Sequence, residues 1–182
     1  MVSGVDESTV ESTGPDVLCR TLASMKAEAT VNRIRQQPAG GPVIVLGCDS
    51  VLAFDGAVMG KPADAAQATA RWRRMRGRAG VLYTGHCLVD VPTGRTAEEV
   101  TSTAVHFSDV SDAEIAAYVA TGEPLHVAGA FTIDGLGSWF IERIEGDHGT
   151  VIGVSLPAVR RLLGELGTTV EAMWSIPLTS ST

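Results

Sequence analysis

The sequence predicts an α/β fold in which one largely central β-sheet lies between helices. Two observations carry this: apolar runs of strand length alternate along the chain with segments of helical apolar spacing, and two long alternating segments flank a turn at 92–94. The second feature adds antiparallel pairing, so the sheet is expected to be a mixed one. At 182 residues and 45% hydrophobic, the chain can bury one substantial core and leaves little room for two independent domains.

From Pro15 to about Gln37, Val17, Leu18, Leu22, Met25, Ala29 and Ile34 recur at helical spacing, and Gly40, Gly41 and Pro42 stop the segment. Residues 43–47 read as a fully buried strand, and Asp55 with Gly56 is a turn signal between 51–54 and 57–59. A helix is expected over 64–75, just after a proline, and a β-hairpin over 80–91 and 96–108. Ser111 with Glu114 forms a capping-box pattern heading a helix to about Ala120. Short strands are expected near 130–134 and 138–144. Ser155, as N-cap with Pro157 in the first turn, starts a helix through Leu166. The stretch from Thr168 to Thr182 is weakly patterned, with its last residues expected to form a mobile tail, and no internal repeat is evident.

The net charge of −7 argues against a nucleic-acid binder, which needs a basic face, but leaves small anionic ligands open. Cys19, Cys48 and Cys87 are odd in number and lack CxxC spacing, so neither a disulfide framework nor a zinc site is suggested. Residues 1–15 are polar and acidic, unlike a secretory signal, and no apolar run approaches the roughly 18–20 residues that span a bilayer. These features describe a soluble cytoplasmic protein with no nucleic-acid or membrane partner.

Within "VIVLGCDSVLAFDGAVMGKP", residues 43–62, Asp49 and Ser50 interrupt a buried strand. A carboxylate there must be hydrated, paired or used, because an unpaired buried charge is very costly. A strand ending at Asp49 would set it at the carboxyl edge of the sheet, where α/β ligand sites lie; the alternative is an Asx-type turn. Lys61, between Gly60 and Pro62, is either an aimed ammonium group or a solvated loop lysine. Glu7 and Lys26 read from pattern alone as a solvated tail and an exposed helix face. The five arginines of "RWRRMRGR", 71–78, form either a solvated face with Trp72 and Met75 turned inward or an anion clamp. His86, His106, His126 and His148 lack metal-ligand spacing and read as structural or exposed. The glycines of "AGAFTIDGLGSWF" do not match a phosphate loop and mark tight turns.

Taken in order, these pieces resemble the Maf family of nucleoside triphosphate pyrophosphatases, also called septum formation inhibitor proteins. The resemblance covers about residues 3–166 and rests on "VDE" at 5–7, "LASMKA" at 22–27, "GCDSVLAFDGAVMGKP" at 47–62, "GRAGVLYTG" at 77–85, "AGAFTIDGLGSWFIERIEG" at 128–146 and "TVIGVSLP" at 150–157. It implies a fold of the Maf and inosine triphosphatase type. It also implies hydrolysis of a nucleoside triphosphate between the α and β phosphates, giving monophosphate and pyrophosphate with a divalent metal, Mg²⁺ or Mn²⁺. Clearing of modified nucleotides, a link to cell-division arrest, and a homodimer belong to the same implication.

By resemblance, Asp49 falls on the family's proton-accepting aspartate, and Glu7, Lys26 and Lys61 fall on its polar site residues. Ser50 and Asp134 fall on positions tied to base choice. Such residue types suit the chemistry: Glu7 and Asp49 offer hard oxygens to a metal, a carboxylate can take the proton of an attacking water, and two lysines offset phosphate charge as pyrophosphate departs.

The chain departs from the family pattern at several positions. His126 and Val127 stand where Asp-Lys is common, Thr150 stands where an asparagine is common, and Asp134 replaces a glutamine. Members usually open with a strand and an "SASPRR"-like loop that grips the phosphates. Here that strand and part of the phosphate site are expected to be missing, through a misplaced start or true shortening. A non-catalytic nucleotide- or partner-binding protein is therefore the alternative function, and a poorly folded product with an exposed sheet edge a third.

Overall fold

The computed structural model describes residues 14–36 and 43–174. Its architecture is the expected α/β one, a central sheet flanked by helices. Helix α1 (Pro15–Arg35) is followed by strands β1 (Ile44–Phe54) and β2 (Ala57–Met59), then α2 (Ala65–Met75). The hairpin of β3 (Ala79–Asp90) and β4 (Thr96–Phe107) leads to α3 (Asp112–Ala120), strand β5 (Ile141–Glu145), and helices α4 (His148–Ile152), α5 (Leu156–Glu165) and α6 (Val170–Trp174).

The strands lie in the order β2-β1-β3-β4-β5. Every pairing among the described residues is antiparallel, where alternating strands and helices had suggested mixed pairing. Short turns join β1 to β2 and β3 to β4, which only antiparallel pairs allow, while α2 leads from β2 back to β3 beside β1, and α3 with the turns after it returns the chain to β5 beside β4, both also antiparallel. Between β1 and β2, Asp55 and Gly56 both take positive φ, 54° and 75°, as the sequence signal for a tight hairpin required. Among the described residues, β2 pairs with β1 only over Leu52–Phe54, so the stretch of β1 before it has no strand on that side.

Local signals account for most boundaries. Asp64 caps α2 through Gln67, the Ser111–Glu114 capping box heads α3, and Ser155 caps α5 through Ala158. The segment near 130–134 is not a strand: tight 3₁₀ turns occupy Ala128–Ala130 and Leu136–Phe140, because the glycines there bend the backbone. Helix α4 was not foreseen. It is a single short turn capped by Asp147 and ended by Gly153 at φ 117°, and the "DHGTVIG" pattern of cap and stop could have revealed it. The end of the weakly patterned tail, residues 175–182, lies outside the described residues.

The arginines of "RWRRMRGR" follow the solvated-face alternative. Trp72 and Met75 are fully buried, and Trp72 meets Phe107, Tyr118 and Phe140 edge-on at 5.5–5.7 Å between ring centres. Arg73 and Arg76 pair with Asp112, and Arg74 and Arg78 with Asp55, so these four guanidiniums are held by the chain's own carboxylates. Among the described residues, no helix is long and apolar enough to cross a membrane.

Two glycines bring α1 onto the sheet. A Cβ at Gly47 would lie 2.2 Å from the Ala23 carbonyl oxygen, and one at Gly85 would lie 2.3 Å from that of Cys19. The helix backbone thus rests directly on β1 and β3, with Ala23, Ala27, Val31, Val45, Cys87 and Val89 sealing the contact. On the opposite face, Leu88 and Ala97 pack against Leu162 and Leu163 of α5 and Leu166 at its end. His86 ties that side down: its buried Nε2 accepts from the Ser155 amide at 2.9 Å, at the cap of α5.

Gly85→Ala is expected to destabilise the fold by about 1–3 kcal/mol, the usual cost of forcing a methyl into a packed contact. Urea unfolding checks this, and an unchanged midpoint would contradict the close approach. Burial holds the His86 ring below its ordinary pKa of 6.5, outweighing the pull of Glu99. The unfolded chain takes up this proton near pH 6.5 and the folded chain only at lower pH, so stability falls as pH drops below 6.5. Melting temperatures from pH 7 to 5 should fall less steeply in His86→Gln than in the unmodified chain; equal slopes would remove His86 from this role.

Candidate active site

Asp49 lies in the middle of β1, opposite Gly85, and not at the end of a strand as the sequence suggested. The strand runs on to Phe54 because Asp49 is paired and so does not break it: the Lys26 ammonium donates to Asp49 Oδ1. This pair exists because α1 sits so close. Gly47, two residues before Asp49, and Gly85, across from it, leave the room that lets a helical lysine reach the strand. The pair is mostly but not wholly covered, with 23% of the Lys26 side chain and 10% of the Asp49 side chain exposed.

Neighbouring strand residues point to opposite faces. Asp49 turns toward α1, while Ser50 turns toward α4, where its hydroxyl lies 2.8 Å from Thr84 Oγ1. Two clefts adjoin here. One, about 400 Å³, is lined on the α1 side by Leu22, Lys26, Asp49, Val58 and Lys61. The other, about 260 Å³, is lined by Ser50, Leu82, His126, Phe131, Asp134 and Gly153. Asp49, Ser50, Lys61 and Ala128 border both.

The walls around these side chains are braced. Gly60, next to Lys61, accepts hydrogen bonds through its carbonyl from Arg71 Nη1 at 2.6 Å and from the Gly129 amide at 3.2 Å. The turn carrying Gly129 is held in turn by Trp72, whose Nε1 donates to the Ala130 carbonyl at 2.8 Å. Asp134 is exposed on the segment following Phe131, and Glu123 pins that segment. Its carboxylate accepts from Thr132 Oγ1 at 2.6 Å, Tyr118 Oη at 2.8 Å, and the Leu136 and Gly137 amides at 2.9 Å each. Burial alone would raise the Glu123 pKa, but these donors outweigh it and bring it down to about 2. Residue patterning did not single out Glu123, because its function depends on four donors spread over twenty residues of chain.

The cleft's thiol is inert: burial, reinforced by the Asp49 charge, pushes Cys48 up to about 12. The described residues contain no cluster of three or more histidine, cysteine or acidic side chains that would cage a metal. Asp49 and Asp134 nonetheless give the smaller cleft two carboxylates. Asp49 by itself offers hard oxygens that suit an ion of the Mg²⁺ kind, which is commonly bound by one or two carboxylates together with substrate phosphates. Glu7 lies outside the described residues. Lys26, Asp49, Ser50, Lys61 and Asp134, drawn from four separate segments, each border at least one of the two clefts. The arginine-rich segment borders neither.

The protein is of the class built on an antiparallel sheet between helices, with the Lys26–Asp49 pair and Lys61 gathered at clefts beside one strand. The family model described as Maf-like protein matches residues 1–166, and the chain belongs to the Maf family. It is 64% identical to a nucleoside triphosphate pyrophosphatase of Salinispora tropica over 176 residues, 96% of this chain and 77% of that protein. It is 55% identical to a protein of the same description from Streptomyces avermitilis over 96% of this chain and 83% of that protein. A third from Nostoc punctiforme is 48% identical over 94% of this chain and 84% of that protein.

Glu123→Gln is expected to cost about 2 kcal/mol, since hydrogen bonds to a charged acceptor are lost and an amide donor faces donors. Thermal unfolding measures the loss, and amide exchange at Leu136 and Gly137 should quicken. Unchanged exchange at both amides would contradict the bracing role.

Proposed function

We propose that the chain hydrolyses nucleoside triphosphates between the α and β phosphates, releasing pyrophosphate. The observation that carries this reading is the Lys26–Asp49 pair standing beside Lys61 where the two clefts meet. Its Maf membership and the description of its relatives as nucleoside triphosphate pyrophosphatases support the same reaction.

In this mechanism, the oxygen of a water molecule attacks the α-phosphorus while the Asp49 carboxylate accepts the proton it gives up. The bond from that phosphorus to the bridging oxygen breaks, and pyrophosphate leaves with the bonding electrons. Lys26 holds the Asp49 carboxylate in place from the helix side, which spares the reorientation that a free side chain would need. Lys61, set between the braced Gly60 and Pro62, offsets the charge that builds on the departing phosphates. Asp49, with Glu7 as the second carboxylate that the family resemblance implies, would hold a divalent metal such as Mg²⁺ or Mn²⁺, and the metal when bound would supply further charge neutralisation on the phosphates.

Release of pyrophosphate from a panel of nucleoside triphosphates with Mg²⁺ tests this reading. Asp49→Asn should lower kcat by a factor of about 10²–10⁴ while leaving the fold intact. An undiminished rate in that variant would remove Asp49 as proton acceptor. Binding of triphosphates with no pyrophosphate released by the unmodified chain would favour a nucleotide-binding protein without turnover.

A further inference from the structure

A hydroxyl group has one proton, and the hydrogen bonds behind Ser50 determine where that proton goes. Thr84 Oγ1 lies 2.7 Å from the Thr150 carbonyl oxygen, which can only accept, so Thr84 spends its single proton there. The contact between Ser50 Oγ and Thr84 Oγ1, at 2.8 Å, therefore runs from Ser50 as donor to Thr84 as acceptor. Thr84 and Thr150 are both fully buried.

The carbonyl that starts this relay is itself fixed. The Thr150 amide donates to Asp147 Oδ2 at 3.1 Å, and Thr150 Oγ1 donates to Thr101 Oγ1 at 2.9 Å. Thr103 Oγ1 donates to the Asp147 carbonyl at 2.9 Å, tying the start of α4 to β4. With its proton committed inward, Ser50 presents only lone pairs to the cleft.

We propose that Thr84 is a positioning residue that makes Ser50 an acceptor-only contact, so that the ligand group seated at Ser50 is an N–H or O–H donor and not a phosphate oxygen. The phosphates are thereby directed to Lys26 and Lys61 on the α1 side, and the nucleoside portion to the cleft on the α4 side. This inference rests on the nucleotide reading for the identity of the ligand.

The test uses two probes and calorimetric titration of the full chain with Mg²⁺ present. One probe is the tightest-binding member of a set of α,β-methylene nucleoside triphosphates, which resist the proposed cleavage; the other is inorganic tripolyphosphate, which carries phosphate acceptors alone. Ser50→Ala and Thr84→Val should each weaken the nucleotide analogue by about fivefold, the worth of one neutral hydrogen bond. Neither should weaken tripolyphosphate, and Thr84→Ser, which keeps the relay, should restore nucleotide binding. Equal losses for both probes, an unaltered nucleotide affinity in Ser50→Ala or in folded Thr84→Val, or a loss in Thr84→Ser would overturn the proposal. So would a folded, unmodified chain that binds no nucleotide analogue. Should Thr84→Val fail to fold by thermal melting, Ser50→Ala and Thr84→Ser decide the matter. Pyrophosphate release is measured separately: the expected binding pattern without release would refute the hydrolase and leave the relay standing.

Discussion

The contact on which the rest of this molecule depends is the seating of the α1 backbone on β1 and β3 through Gly47 and Gly85. A helix packed on a sheet through ordinary side chains is held off by those side chains. Here two missing Cβ atoms on neighbouring strands let helix backbone touch strand backbone. The consequence is electrostatic as well as steric. A carboxylate in a central strand needs a partner at close range, and Lys26 can serve only because its helix is pressed against the strand that carries Asp49. Small residues on the helix side, Ala23 and Ala27, complete the fit.

The same strand divides the chemistry between the two faces of the sheet. Asp49 belongs to the α1 side and has a cation; Ser50 belongs to the α4 side and has a chain of hydroxyls ending on a carbonyl. The charged partner and the neutral partner are separated by a strand one residue thick. Both open to solvent where the clefts adjoin at Lys61 and Ala128. Beyond the strands and helices, the cleft walls at Gly60, Ala128 and 131–134 are turns without regular strand pairing, and they are held by polar anchors: Arg71 on Gly60, Trp72 on Ala130, and Glu123 on Thr132, Leu136 and Gly137.

How much of this was legible in the sequence follows from the range of each interaction. Caps and tight turns are local, and Asp55–Gly56, Ser111–Glu114 and Ser155 were read correctly from a few residues each. The hairpin of β3 and β4 was equally plain from alternation. The extent of β1 was not, because Asp49 looks like a terminator until the helix that neutralises it is in place. The pattern likewise assigned Lys26 to an exposed face, since no rule of spacing says that a helix will approach through Gly47 and Gly85. Only the family resemblance singled it out. Thr84 carried no signal at all: a threonine in a strand is ordinary, and its importance comes from Thr150, distant in sequence and brought near by a helix turn that the pattern did not reveal.

Register then becomes a functional quantity. The side-chain period of a strand is two, so a slip of one residue along β1 would send Asp49 to the hydroxyl side and Ser50 to the ammonium side. Leu52 opposite Met59, reached through the Asp55–Gly56 turn, and the long match of Ile44–Ala53 with Val81–Asp90 both oppose such a slip. So do Gly47 and Gly85, because any other residue brought under α1 would place a side chain where the helix backbone already lies. The glycines therefore act twice: they admit the helix that pairs Asp49, and they fix the register that keeps Asp49 on that helix's side.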